Sequence, residues 1–200
     1  MISWMEAVYM HRPHSTLIKW TISILVTTIA VLPFLCCPFL GPPAPDRSFT
    51  TKDVLVGLSD LPPGWSVSYG PDKALQEYRG EESAEIRFFA DSPYGVAYHS
   101  VNRYKNAGVA EGVYQDFVLP GAWGKPPGEW TYKSGVADQS IFSCYDYEGR
   151  EPPICMWAAR YEEYVVEFDA RLIAGQMSLR DIERIIKVID QRIAQYLGKK

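Results

Sequence analysis

Residues 164–172 read Tyr-Val-Val-Glu-Phe-Asp-Ala-Arg-Leu. Val166, Phe168, Ala170 and Leu172 alternate with Glu167, Asp169 and Arg171. That two-residue period belongs to an antiparallel strand with one face on a core and the other turned outward. Working outward, the same reasoning gives strands at Trp65–Tyr69, Ser83–Ala90, Val96–Tyr104, Trp130–Lys133, Gln139–Tyr147 and Ile154–Arg160. The segment Asp91-Ser92-Pro93-Tyr94-Gly95 joins two of them as a hairpin.

Helical spacing appears on both sides of these strands. Ser48 to Ser59 holds a short helical candidate with Leu55, Val56 and Leu58, closed by Pro62-Pro63-Gly64. Asn106 is placed to cap a helix running to about Val118, with Val109, Val113 and Phe117 on one stripe. After the sheet, Ser178 caps a helix in which Leu179, Ile182, Ile185, Ile186, Ile189, Ile193, Tyr196 and Leu197 recur at helical spacing, and Gly198 stops it. The expected fold class is α+β, an antiparallel sheet packed by two to three helices.

A different signal stands at the start of the chain. Between Lys19 and Asp46 lie 26 residues without a formal charge, and Trp20–Leu40 reads WTISILVTTIAVLPFLCCPFL. As a helix, 21 residues would span about 31 Å, the thickness of a bilayer's hydrocarbon core. Pro33 would kink its second half. Arg12 and Lys19 against Glu6 put residues 1–19 on the cytoplasmic side by the positive-inside rule. Residues 20–40 are then a transmembrane anchor contacting the lipid bilayer, 41–47 a Pro-rich linker and 48–200 an extracytoplasmic domain. The expected location is the outer face of a bacterial cytoplasmic membrane. Cleavage after a signal peptide and lipidation at Cys36 or Cys37 are the alternatives, since Leu35-Cys36-Cys37 only approximates a lipoprotein signal. Met10 is an alternative start to Met1.

Composition narrows the function classes. The 200 residues are 47% hydrophobic and 14% aromatic, which no disordered chain would be. A net charge of −4 argues against a nucleic-acid partner. Three His and two separated Cys pairs leave little material for a metal site, and no cofactor motif is present. His99 on its strand reads as a surface or sheet-edge residue. The acid pairs Glu81-Glu82, Glu162-Glu163 and Asp146/Glu148 read as solvated turn residues, with a carboxylate hydrolase using Glu162 and Glu163 as a lesser alternative.

Cys144 and Cys155 flank the turn Glu148–Pro153. Folding that hairpin about Gly149-Arg150 sets the two opposite each other, where a disulfide fits and an oxidising compartment would favour it; two buried free thiols are the other reading. Trp123 lies mid-way along the 12-residue connection LPGAWGKPPGEW, a length typical of binding loops. Trp123 and Lys125 are therefore interaction candidates. Trp65 and Trp130, each following a Pro-Pro-Gly turn into a strand, join them, although a Trp at that place also plugs the end of a core.

The opening Val56–Ser66, VGLSDLPPGWS, and the strand pair MWAARYEEYVVEF before a C-terminal helix resemble uncharacterised bacterial membrane-tethered proteins with a Leu-Pro-x-Gly-Trp opening. The order of elements is also similar to the PsbP-like fold of extrinsic photosystem subunits, an αβα sandwich. The resemblance implies an accessory role and carries over no catalytic residue. The expected function is a non-enzymatic accessory or binding subunit of a membrane protein assembly, its partner another membrane protein. A sensor or carrier for a small apolar or glycan ligand is the alternative.

Overall fold

In the computed structural model, residues 41–73, 80–90, 95–118, 124–147 and 150–199 are described. Among these, three helices and six strands follow the order α1 (Thr51–Val54), β1 (Trp65–Asp72), β2 (Glu82–Ala90), β3 (Gly95–Arg103), α2 (Ala107–Phe117), β4 (Gln139–Tyr147), β5 (Arg150–Tyr161), β6 (Tyr164–Arg171) and α3 (Leu179–Leu197). The strands form one antiparallel sheet in the order β1-β2-β3-β6-β5-β4. Two three-stranded meanders thus meet at the β3/β6 pair, leaving β1 and β4 as edges. The chain is α+β, as its alternating and helical periods require.

Register fixes two faces. His99 pairs with Ile86 and Phe168, and Phe168 with Trp157, which pairs with Phe142, so these side chains share one face. That face carries the main core, closed by Ile182, Ile185, Ile186, Ile189 and Ile193 of α3. Burying each isoleucine contributes roughly 1.5–3 kcal/mol, so this one helix supplies much of the hydrophobic stabilisation. The Ser178 hydroxyl accepts the Asp181 N–H at 3.2 Å, while the Asp181 carboxylate accepts the Ser178 N–H at 3.0 Å. Gly198, at φ 67°, ends the helix in the left-handed conformation that a glycine takes without a Cβ penalty.

The opposite face packs against α2. Tyr104, Ala110, Tyr114, Ala158 and Val165 form a second, smaller cluster, with Val109, Val113 and Phe117 against it. Asn106 caps α2 through its side chain, which accepts the Val109 N–H at 2.9 Å. The described domain is therefore layered helix–sheet–helix.

Two local expectations fail for traceable reasons. The helix anticipated over Ser48–Ser59 shrinks to Thr51–Val54 and a 3₁₀ turn at Leu58–Asp60. Leu55 turns extended because Leu55 and Val56 are driven into the core, where the Val56 N–H reaches His99 Nδ1 at 3.0 Å. The strand anticipated at Trp130–Lys133 does not form either, because that segment is tied to α3 instead of to a neighbouring strand. The hairpin turn at 91–94 lies outside the described residues, although the β2/β3 pairing it was expected to serve is present. Among the described residues no helix is long and apolar enough to cross a membrane; residues 20–40, with Cys36 and Cys37, lie outside them.

Candidate binding surface

Residues 124–138 run without regular structure beside the edge strand β4. They are held chiefly by Asp190, a carboxylate that α3 carries into the buried stripe. The Ser134 hydroxyl donates to Asp190 Oδ1 at 2.9 Å, and the Tyr132 and Tyr161 hydroxyls donate to its two oxygens. Ser134 Oγ in turn accepts the Ala137 N–H at 2.8 Å, closing a tight turn. Burial, then the Asp190 charge, raises both tyrosine hydroxyls well above their ordinary titration range, with burial the larger cause. They therefore remain donors across the whole physiological range.

The segment so anchored presents aromatics. Trp130 stacks on Phe142 with ring centroids 3.6 Å apart and meets Tyr132 edge-on at 6.2 Å. Lys187 of α3 lies over the Tyr132 ring at 5.3 Å, within cation–π range. Between this aromatic wall and β4 runs an open cleft of about 440 Å³, reaching Gly124, Pro126, Lys133, Gln139 and the buried Trp157. Gly124 is required at its position, because a Cβ there would stand 2.7 Å from the outward-facing Cys144 carbonyl. Aromatic rings interleaved with polar groups such as Ser134, Asp138 and Gln139 suit recognition of another molecule.

The interaction candidates separate. Trp130 is half-buried and forms the wall of the cleft; Lys125 is exposed and does not line it, standing in the chain between the lining residues Gly124 and Pro126. Trp65 is not on this surface. It is 8% exposed at the β1 edge, across the sheet, with its indole N–H directed at the Gln176 carbonyl. It plugs that end of the core against Gly95, where a Cβ would sit 3.0 Å from the indole ring. Trp123 lies outside the described residues.

Cys144 and Cys155 are register partners with sulfurs at bonding distance, so the hairpin geometry expected from spacing is the one observed. Cys155 is fully buried and joins the main core.

The acids and the histidine depart from expectation. Glu163 is not a solvated turn residue: it is 2% exposed and accepts Arg47 Nε at 2.8 Å, with Arg103 Nε at 3.6 Å. Glu162 takes up the other end of the Arg47 guanidinium. His99, expected at the surface, is wholly buried, because its strand is central in the sheet. Burial, aided by the Arg192 charge, lowers its pKa to about 3. The folded protein therefore keeps His99 neutral while the unfolded chain protonates near pH 6.5. Stability from this group is complete above about 6.5 and is lost as pH falls towards 3, at up to about 1.4 kcal/mol per pH unit. Replacing His99 with Gln, which retains an acceptor, is expected to flatten that acid limb in urea-unfolding curves taken across the window. An unchanged slope would show that another group governs it.

The signal for Asp190 was present in the sequence. It stands four residues after Ile186 and three before Ile193, so an acid occupies a position of the apolar stripe. Compared with protein-family models, curated proteins and solved structures, the chain matches none.

Proposed function

We propose that the chain is a membrane-tethered, extracytoplasmic binding subunit without catalytic activity of its own, docking another membrane protein through the surface around Trp130 and Lys125. The observation that carries the reading is the aromatic wall of Trp130 and Phe142, fixed to α3 by the Asp190 clamp and open along the β4 edge. A preorganised aromatic anchor with little left to order on binding is what affinity requires. The apolar run 20–40 supports the tether. The Cys144–Cys155 bond suits the oxidising side of a membrane. The PsbP-like resemblance supports an accessory role. The hydrolase alternative draws nothing from Glu163, whose carboxylate is engaged by two arginines.

Isolation of the full chain in mild detergent is expected to recover a second membrane protein. Lys125→Glu, at an exposed position that leaves the core untouched, is expected to weaken that recovery about 10-fold, and Trp130→Ala at least as much. Recovery of the chain alone, or equal recovery with both variants, contradicts the reading. The same cleft suits a small apolar or glycan ligand. Ligand-dependent quenching of tryptophan fluorescence that disappears in Trp130→Ala, with no protein partner recovered, would favour that second reading.

A further inference from the structure

Residues 41–49 do not stand off from the domain; they run along one end of the sheet and are fastened to it. The Asn106 side-chain amide donates to the Gly41 carbonyl at 3.3 Å, the Ala44 N–H to the Lys105 carbonyl at 2.7 Å, and the Arg103 guanidinium to the Pro45 carbonyl. Arg47 then forks onto Glu163, its Nε donating to Oε1 at 2.8 Å and its Nη2 to Oε2 at 2.9 Å, and also meets Glu162. Phe49 follows into the core, stacked on Tyr164 and Tyr196 with ring centroids 5.5 and 4.6 Å away. Letting go of Arg47 would leave Glu163, 2% exposed, with only Arg103 Nε at 3.6 Å, and a buried carboxylate short of partners is costly. By composition Gly-Pro-Pro-Ala-Pro is a stiff spacer; its hydrogen bonds make it part of the domain's surface.

The partners of this segment share one end of the sheet. Register sets Glu82, Arg103, Tyr164 and Tyr161 in one row there, and Lys199, just past the end of α3, reaches Asp138 at the same end at 3.3 Å. The opposite end carries the turn from β6 into α3, closed by the Met177 N–H on the Ile173 carbonyl at 2.9 Å. The eight residues of β6 separate the two ends by roughly 23 Å.

Gly41 therefore has a fixed place, beside Asn106 at the start of α2. The apolar run Trp20–Leu40 ends one residue earlier, and successive Cα atoms are only about 3.8 Å apart. No length of chain is left between the run and the fastened segment to act as a spacer. We infer that this end of the sheet rests on the headgroup layer of a bilayer, with the exposed Pro42, Pro43, Glu81 and Lys105 at the contact; the inference rests on the tether proposed above. The charge of this end suits a zwitterionic surface. Cations and anions alternate and neutralise one another, Arg47 with Glu162 and Glu163 and Lys199 with Asp138 and Glu162, so no anionic lipid is needed to hold it.

The test is photo-crosslinking of the full chain reconstituted into phosphatidylcholine vesicles, with p-benzoylphenylalanine in place of Lys105 or of Ala174. Both positions are exposed, at opposite ends of the sheet, so neither replacement disturbs the core. Intact mass after irradiation is expected to show lipid adducts from position 105 at least about 5-fold more often than from position 174, given the distance between the two ends. Inserting about ten Gly and Ser residues between Leu40 and Gly41 restores a flexible spacer without touching the fold, and is expected to bring the two yields within about 2-fold of each other. Vesicle flotation, read in the same samples, reports the tether separately. A chain that floats with the vesicles but gives equal adducts at both positions, or none at 105, overturns the orientation while leaving the tether standing. A preference for 105 that survives the insert would show that the short connection is not its cause and overturns the argument as well. A chain that does not float overturns the tether, and the orientation with it.

Discussion

Asp190→Ala is expected to destabilise the domain by about 3–5 kcal/mol. The substitution leaves the hydroxyls of Tyr132, Tyr161 and Ser134 facing a void where a buried acceptor stood. Asp190→Asn retains one acceptor oxygen but turns an N–H₂ group towards those donors, so a loss of about 2–3 kcal/mol is expected. Tyr161→Phe, which removes one donor and leaves the carboxylate two, is expected to lose about 1–1.5 kcal/mol. The three values in urea unfolding discriminate a clamp from an incidental contact. Losses below about 1 kcal/mol for Asp190→Ala would mean that water already satisfies these groups. In the proposed docking role, the clamp also links packing to recognition. Asp190 is the point at which α3 fixes the segment that carries Trp130, so Asp190→Asn is expected to weaken docking even at temperatures where the core remains folded.

Reducing the Cys144–Cys155 bond is expected to lower stability by roughly 3 kcal/mol. The bond closes a loop with a sequence separation of 11 residues, and restricting that loop in the unfolded chain accounts for most of the effect. Cys144→Ser and Cys155→Ser need not be equivalent. Cys155 is wholly buried among core side chains, so a serine hydroxyl there adds the cost of an unsatisfied polar group, whereas Cys144 is only partly buried. Cys155→Ser is therefore expected to be the worse of the two by about 1–2 kcal/mol. The measurement is the urea midpoint of each variant beside the oxidised and reduced parent protein. Equal midpoints with and without reductant would show that the β4/β5 pairing holds unaided.

Periodicity carried most of the fold. The two-residue alternation in 164–172 and the isoleucine stripe of α3 identified their elements because burial on one face leaves a repeating mark. The Cys144/Cys155 register followed from the hairpin centre alone. What escaped depends on tertiary arrangement. The alternation in β6 marks an outward face but not that α2 and its neighbours half enclose it, so Glu167 and Asp169 read as solvated. His99 read as a surface residue because nothing local reveals that its strand pairs on both sides, with β2 and with β6. The Trp130–Lys133 strand was a false reading of local β-propensity, overridden by hydrogen bonds to an aspartate about 60 residues away in the chain. Glu163 escaped because its partners, Arg47 and Arg103, come from distant parts of the chain.

The proposed tether, the run Trp20–Leu40, is expected to hold the domain built around this sheet on the oxidising side of a membrane. The most direct measurement is the intact mass of the native chain from fractionated cells, taken after thiol alkylation without reductant. The expected result is a chain in the membrane fraction that retains residues 20–40, lacks two hydrogens and has Cys144 and Cys155 unalkylated. A chain recovered in the soluble fraction with all four of its cysteines alkylated would contradict the claim.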